Sequence, residues 1–238
     1  QMKQRMLSRA RAASAILTSS TQVSEVSSRG FVQWLQHHGL DGVSIENRPL
    51  PPFGTVKTPS EKAWTVGFIG RVRDIKAFEL LVSAVKTLQP HERPKIRVAG
   101  DGTASAKVRT MLMDEVENGT LEAEVSGAFT QDDLPDLINE LDVMYAMYGP
   151  LRGNILQGAL PVKMFDAAAQ GVPSVVNHDC LMGDVAVEEG LGVAAPWGDA
   201  EAVGAALLGM KDTVVELSAT GEREHQRWLA AMKPVLDE

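Results

Sequence analysis

Long apolar runs, paired cysteines and a surplus of basic residues are all lacking from this sequence of 238 residues. No stretch reaches the roughly 18 consecutive apolar residues of a membrane-spanning helix, so we expect no segment that crosses a bilayer. Cys180 is the only cysteine, which excludes an internal disulfide and is typical of a reducing compartment. We therefore predict a cytoplasmic protein.

The charge balance is acidic, with a formal net charge of −8 at pH 7. A nucleic-acid surface needs a basic face or stripe, so the composition argues against a nucleic-acid partner. The five histidines are scattered without the spacing of metal ligands, and Cys180 has no second cysteine beside it. The sequence therefore predicts neither a metal site nor a cofactor, and any anionic ligand must be held by a few local cations.

A complete dinucleotide-binding fingerprint is also missing. Such a fingerprint has three glycines after the first strand of the fold and an acidic residue about 20 positions later. Here Gly100 and Gly102 follow a later strand and the third position is Ser105, so a nicotinamide-dependent enzyme is the least favoured function. Gly102 is interpreted instead as a tight turn or a close approach of the backbone to a ligand.

What the sequence does contain is a regular alternation of strand-like and helix-like segments from Trp64 to Met210. Each short apolar run is followed by a segment with apolar residues at helical spacing. Strands are predicted in WTVGFIG, KIRVAG, EAEVSGAF, DVMYAMY, PSVVNH and GVAAP. Six such units predict a Rossmann-like α/β fold, a doubly wound parallel sheet with helices on both faces.

Three regions are predicted along the chain. Residues 1–58 have the pattern of a strand, a helix and a strand that lead into a proline-rich connector, and they are too few to form a core alone. Residues 59–212 are predicted to form the ligand-binding domain. Residues 213–238 are predicted to form an exposed helical segment that is broken near Pro234.

The loop after the first main strand carries cations at the position where doubly wound sheets bind ligands, the carboxyl ends of the strands. In FIGRVRDIKAFELL, Gly70 permits a close turn, Arg71 suits bidentate contact with an oxyanion, and Lys76 adds a second charge. With free N–H groups at the start of the helix, the two cations suit a diphosphate. The alternative is an ordinary turn with a solvated arginine.

A further cation stands at the start of a short alanine-rich helix in LPVKMFDAAAQGVPSVV. Pro161 starts this helix and puts Lys163 in its first turn, with the ammonium directed to the mouth of the cleft. Asp166 lies on the same face one turn deeper, where a carboxylate accepts hydrogen bonds from sugar hydroxyls. The alternative is a surface ion pair between Lys163 and Asp166. Arg152, in the preceding loop, is the remaining candidate.

The order of these segments resembles the carboxyl-terminal, donor-binding domain of retaining glycosyltransferases with the two-domain GT-B fold, the group often called family four. VGFIGRVRDIKAFELLVSAVKTL is similar to the family's loop for the nucleotide diphosphate, and LPVKMFDAAAQGVPSVV to its Pro-x-Lys-x-Phe-Glu-x-x-Ala-x-Gly-x-Pro signature. The similarity covers residues 63–210. Residues 10–52 resemble the end of the family's amino-terminal acceptor domain, and the resemblance implies that most of that domain is missing from this sequence.

The resemblance implies a metal-independent, hexosyltransferase-like enzyme of glycan biosynthesis. It would transfer a sugar from a nucleotide-diphosphate sugar to an acceptor hydroxyl with retention of configuration, and this fragment alone would be inactive without the acceptor domain. Peripheral association of the full enzyme with a membrane stays open. Arg71 and Lys76 are the implied catalytic residues, because they would stabilise the departing nucleotide diphosphate. The implied donor-binding residues are Gly70, Gly102, Arg152, Lys163 and Asp166.

Three positions depart from the family's pattern. The family commonly has two glutamates separated by seven residues, and this sequence has Gly158 and Asp166 there. The glycine that usually follows the lysine of the first loop is Ala77. Because Gly158 has no side chain to contact the donor sugar, a non-catalytic GT-B relative that serves as a binding or regulatory subunit is the alternative function.

Overall fold

The structure is a computed structural model that describes residues 17–19, 32, 36–40, 42–53, 63–150, 158 and 160–236. By compactness the chain divides into two units. Unit 1 comprises Gln1–Pro51, Gly153–Leu160 and Ala219–Glu238, and unit 2 comprises Pro52–Arg152 and Pro161–Ser218. These limits differ from the predicted domain boundaries after residues 58 and 212, which concern the family's domains and stay predictions.

The described strands are β1 (Leu17–Ser19), β2 (Val43–Ile45), β3 (Thr65–Ile69), β4 (Lys95–Ala99), β5 (Ala123–Ser126), β6 (Val143–Ala146), β7 (Ser174–Asn177) and β8 (Gly192–Ala195). The described helices are α1 (Ile75–Thr87), α2 (Ser105–Glu117), α3 (Leu134–Asn139), α4 (Val162–Ala169), α5 (Leu181–Glu188), α6 (Ala200–Met210) and α7 (Gly221–Leu236), with a 3-10 turn at Pro90–Glu92.

Unit 2 is built on a six-stranded sheet in the order β5-β4-β3-β6-β7-β8, and every neighbouring pair is parallel. The chain moves outward from β3 to β5, returns to β6 on the other side of β3, and then moves outward again. Right-handed crossovers in the two directions place helices on both faces of the sheet. The predicted doubly wound α/β fold is therefore confirmed, with each of the six predicted strands in its expected segment.

The core of unit 2 lies on both sides of this sheet. All residues of β6 and β7 are buried, and such continuous burial is typical of parallel strands that helices cover on both faces. Helix α1 buries Phe78, Leu81 and Val85 against one face. The hydroxyl of Tyr145 in β6 donates to the carbonyl of Ala77 at 2.8 Å, and burial raises the pKa of Tyr145, so this donor stays neutral inside the core.

Unit 1 pairs β1 with β2 in parallel and joins the end of β2 to α7 through buried charges. The Arg48 guanidinium donates to Glu46 Oε2 at 2.7 Å and to the carbonyl of Ala219 at 3.0 Å. The Glu46 N–H donates to Glu224 Oε2 at 2.8 Å. Charges out of water are costly unless they are paired, so this network ties the strand to the helix specifically.

Two predictions about the terminal segments have different outcomes. Helix α7 continues to Leu236, so the predicted break near Pro234 is wrong. Pro234 is followed by only two helical residues, and its missing N–H therefore removes a bond near the helix end instead of in the interior. Most of the helix predicted before Gly39 lies outside the described residues. None of the helices that the structure describes is both long and apolar enough to span a bilayer.

The contact between α1 and α6 depends on Gly204. A Cβ at this position would lie 2.4 Å from Thr87 Oγ1 and 2.7 Å from the carbonyl oxygen of Ala84, so a methyl group has no room. We expect Gly204→Ala to lower the free energy of unfolding by about 1–3 kcal/mol, the usual cost of overpacking. Urea unfolding followed by circular dichroism measures this change.

Gly209, in the same helix, provides the matched control, because nothing lies within 4 Å of its Cβ position. Gly209→Ala should leave stability unchanged or raise it by up to about 1 kcal/mol through helix propensity. Equal destabilisation by both substitutions would show that backbone effects, and not the α1–α6 contact, explain the loss.

Candidate functional site

The candidate site lies where the strand order reverses, at the carboxyl ends of β3 and its two neighbours. Strand β3 lies between β4 and β6. In doubly wound sheets the loops after such strands diverge and leave a crevice for a ligand. The relevant loops follow Ile69, Ala99 and Ala146.

The loops after β3 and β4 are joined by backbone hydrogen bonds that continue beyond the strands. The Gly70 N–H donates to the carbonyl of Ala99 at 2.9 Å, and the Val72 N–H donates to the carbonyl of Asp101 at 2.8 Å. The Ala104 N–H then donates to the carbonyl of Val72 at 3.1 Å. Both loops are thus held in a defined register up to the start of α2.

Two glycines make this contact possible. Gly100 has φ of 139° and Gly102 has φ of 151°, a region that side chains disfavour. A Cβ would lie 1.9 Å from the carbonyl oxygen of Gly70 in the first case and 2.2 Å from that of Val72 in the second. The GDG sequence therefore serves contact between two loops, while a ligand contact of Gly102 stays a prediction.

Lys163 approaches Gly70 from α4, the helix after β6, and β6 is the neighbour of β3 on the side opposite β4. Lys163 is the second residue of α4, and its Nζ would lie 3.3 Å from a Cβ at Gly70. The ammonium lies 3.2 Å from the ring centroid of Phe68 and 5.6 Å from that of Tyr148, so the two rings provide cation–π contacts. Nζ is buried, which differs from the predicted position at an open mouth of the cleft.

Asp166 follows one turn later in α4 and is partly buried. Burial raises the pKa of its carboxyl to about 6, and the positive charge of Lys163 opposes that rise. Desolvation disfavours the ionised carboxylate, and the ammonium only partly compensates. The carboxyl of Asp166 therefore changes its charge at about pH 6, and the positive charge of Lys163 acts on it.

Arg71 is an exposed cation of the site. Its side chain is 67% exposed, and Nη1 donates at 3.0 Å to Oδ1 of Asp101, which is 55% exposed. Arg71 directly follows Gly70, the residue that Lys163 Nζ approaches from α4. The Arg71 contact lies on the β4 side of the turn at Gly70, and Lys163 comes from the β6 side.

Lys76 is exposed at the start of α1, but its backbone is occupied. Oδ1 of Asp74 accepts the Lys76 N–H at 3.0 Å and caps the helix. The prediction of free N–H groups at this helix start is therefore wrong for the Lys76 N–H, because the Asp74 carboxylate already accepts it where an anionic ligand would bind. Helix α4 has no side-chain cap, since Pro161 precedes it, and its start lies beside the site.

Several residues of the site were not predicted from the sequence. The side chain of Asn177, which is 3% exposed, accepts the Tyr148 N–H at 2.8 Å and donates to the Tyr148 carbonyl at 2.9 Å. A polar residue that ends the apolar strand SVVN was the available signal. Gly149 lets the loop after β6 pack closely against two other residues, because a Cβ at this position would lie 2.7 Å from Asp74 Oδ2 and 3.7 Å from Trp197 Cζ2.

Other features do not contribute to the predicted site. Arg152 lies outside the described residues. Within the described ranges, no group of three or more His, Cys, Asp or Glu side chains is arranged to hold a metal ion, and the predicted absence of a metal stays a prediction. A shallow groove between Ile75 and the α2 residues from Ala106 to Glu115 contains none of the predicted site residues.

The raised pKa of Asp166 predicts a pH-dependent stability. Its usual value is near 3.8 and its folded value about 6, so folding favours the protonated form. This contribution is present below pH 3.8 and is lost as the pH rises through about 6. Through this carboxyl the wild type should lose on the order of 3 kcal/mol of its free energy of unfolding between acidic and neutral pH, and the Asp166→Asn chain should not. Urea unfolding of both chains at two pH values checks this, and parallel pH profiles would contradict it.

A comparison with known families places a model described as "Glycosyl transferases group 1" on residues 63–212. No curated protein sequence matches the chain. Among solved structures, a complex of a TarM mutant from S. aureus with fondaparinux, alpha-GlcNAc-glycerol and UDP has a TM-score of 0.59 at 13% identity and covers 99% of this chain. The pneumococcal O-GlcNAc transferase GtfA with UDP and GlcNAc has a TM-score of 0.60 at 12% identity and covers 98%.

The sucrose-phosphate synthase of Thermosynechococcus elongatus is also similar, with a TM-score of 0.57 at 14% identity over 99% of the chain. The chain spans about half the length of these three proteins: 45% of TarM, 47% of GtfA and 59% of the synthase. At such identities the structures show the fold, and the predicted GT-B relationship is confirmed. The family model covers more than half of the sequence and the whole six-stranded sheet, and the chain therefore belongs to the group 1 glycosyl transferases.

Proposed function

We propose that unit 2 binds the nucleotide-diphosphate sugar of a retaining glycosyltransferase, whose acceptor hydroxyl is bound by a separate amino-terminal domain. The observation that carries the proposal is the cationic turn at the strand-order reversal. In this turn Lys163 Nζ would lie 3.3 Å from a Cβ added at Gly70, and the exposed Arg71 follows Gly70 directly. In an acidic chain, such a turn at the carboxyl end of a parallel sheet suits a pyrophosphate.

The chemistry required of these residues is electrostatic. When the bond between sugar and diphosphate breaks, negative charge develops on the departing phosphate oxygen. A guanidinium has five N–H donors, and its contact with Asp101 uses one of them, so Arg71 has further donors to offer this oxygen. Lys76 adds an exposed positive charge at the start of α1. Removal of one such donor raises the reaction barrier by about 3 kcal/mol.

The inner residues have a supporting role in this proposal. The buried ammonium of Lys163 acts on the phosphates through the Gly70 turn, because no Cβ stands between them. The uncapped start of α4 adds the positive end of a helix dipole on the same side. Asp166 is assigned to the ribose hydroxyls of the nucleotide, as a carboxyl that accepts hydrogen bonds when it is ionised.

A second candidate is a binding or regulatory subunit without transferase activity. Gly158 favours it, because its φ of 78° lies in the left-handed region that a glutamate disfavours. The family's first glutamate is thus replaced at a position whose backbone also suits glycine. This candidate would be supported if the chain, supplied with an acceptor domain in trans, bound the donor without transfer or hydrolysis.

Arg71→Ala tests the proposed site. The substitution removes the exposed guanidinium of the turn, and we expect it to weaken binding of a nucleoside diphosphate by tenfold or more, about 1.4 kcal/mol. UDP is the first probe, because the TarM and GtfA complexes contain it. Isothermal titration calorimetry at an ionic strength of about 0.15 M, where exposed charges are screened over about 8 Å, measures the affinity, with GDP and ADP as comparison ligands.

Arg73→Ala is the matched control, since Arg73 is an exposed arginine of the same loop that is not assigned to the site. It removes the same formal charge and should change the affinity by less than about twofold. Equal affinity of the wild-type and Arg71→Ala chains would contradict the proposed function.

A further inference from the structure

Asp101 has no role in the proposed function, although its carboxylate contacts Arg71, the main cation of the site. We propose that Asp101 is a built-in counter-ion of Arg71, which competes with the phosphate groups of an incoming ligand and so lowers the affinity of the site for anions. The inference rests on the proposed function, because it assumes that Arg71 binds a diphosphate.

The position of Asp101 is determined by the backbone. Its carbonyl accepts the Val72 N–H at 2.8 Å, and Val72 directly follows Arg71. The glycines on either side have no room for a side chain, so the loop cannot shift without loss of this register. The side chains of Arg71 and Asp101 therefore start from two backbones that are held side by side, and their contact follows from the loop structure.

The contact between Arg71 and Asp101 has a direction that matters for competition with a phosphate group. Asp101 follows β4, whereas Lys163 follows β6, and these strands lie on opposite sides of β3. The ion pair therefore holds the Arg71 guanidinium against the loop that follows β4, whereas the Lys163 ammonium reaches Gly70 from the helix that follows β6. A diphosphate that contacts both cations must take the guanidinium from Asp101 or share it with a like-charged carboxylate.

The strength of the pair suits an exchange. Both side chains are more than half exposed, at 67% for Arg71 and 55% for Asp101, so water and salt screen their attraction. A phosphate group carries more charge and offers more acceptor oxygens than a carboxylate. A diphosphate therefore displaces Asp101 at a modest cost, while singly charged carboxylates gain little, and the counter-ion selects for strongly charged ligands.

Asp101→Asn tests this inference, because it preserves the shape and the Oδ1 acceptor and removes only the charge. At low ionic strength, UDP and inorganic pyrophosphate should each bind about threefold to fivefold more tightly than to the wild type, the range expected for an exposed ion pair. The gain should decrease as salt is added. Calorimetry measures the affinities, and circular dichroism confirms the fold of each variant.

Two controls separate the local contact from a general change of charge. Asp132→Asn removes one exposed carboxylate from the turn between β5 and α3, and it should change the affinity little. In a chain that carries Arg71→Ala, Asp101→Asn should give no gain, because the counter-ion has lost its partner.

Unchanged or weaker binding by the Asp101→Asn chain, or the same gain without Arg71, overturns the inference. If Arg71→Ala weakens UDP binding but Asp101→Asn leaves it unchanged, the inference is overturned and the proposed function stands. Failure of the proposed function has another signature: the wild-type, Asp101→Asn and Arg71→Ala chains would all have one affinity for UDP, and that result overturns both.

Discussion

Direct contact between two loop backbones is the constraint on which the candidate site depends. The loops after β3 and β4 exchange hydrogen bonds through Gly70, Val72 and Asp101, and the absence of Cβ atoms at Gly100 and Gly102 permits this approach. The contact continues the sheet beyond its regular strands into the region where ligands bind. It determines where the chain turns, and thereby where the neighbouring charged side chains start.

Burial gives the charged residues around this turn different properties. Arg71 is exposed and contacts a carboxylate that solvent also reaches, so its guanidinium can change partner. Lys163 has a buried ammonium between the turn and the Phe68 ring, and Asp166 below it has a pKa of about 6. Desolvation thus distinguishes the exposed charge of Arg71, which can change its partner, from the less exposed groups of Lys163 and Asp166. In a chain of net charge −8, this local arrangement is the place to which the proposed function assigns the anionic ligand.

The sheet was predictable because each strand is a short apolar run, and burial on both faces gives parallel strands that appearance. The turn at Gly70 and Arg71 was predictable for the same reason, since it ends the first run. The burial of Lys163 was not, because it depends on Phe68, a residue far away in sequence. Asp74 was not predicted as a cap, although it stands directly before the helix that starts at Ile75. The positions of Arg71, Lys76 and Asp166 indicated an anionic, hydroxyl-bearing ligand, and the family resemblance added the nucleotide-diphosphate sugar and the transfer reaction.

Backbone amide chemical shifts recorded by NMR during a titration with UDP test the central claim most directly, because they report contacts at each loop separately. If the joined loops position a diphosphate site, the largest changes should occur at the amides of Gly70, Arg71 and Gly102 and at the start of α4. Changes confined to the groove along α2 or to unit 1, with the amides of Gly70 and Arg71 unmoved, would contradict it.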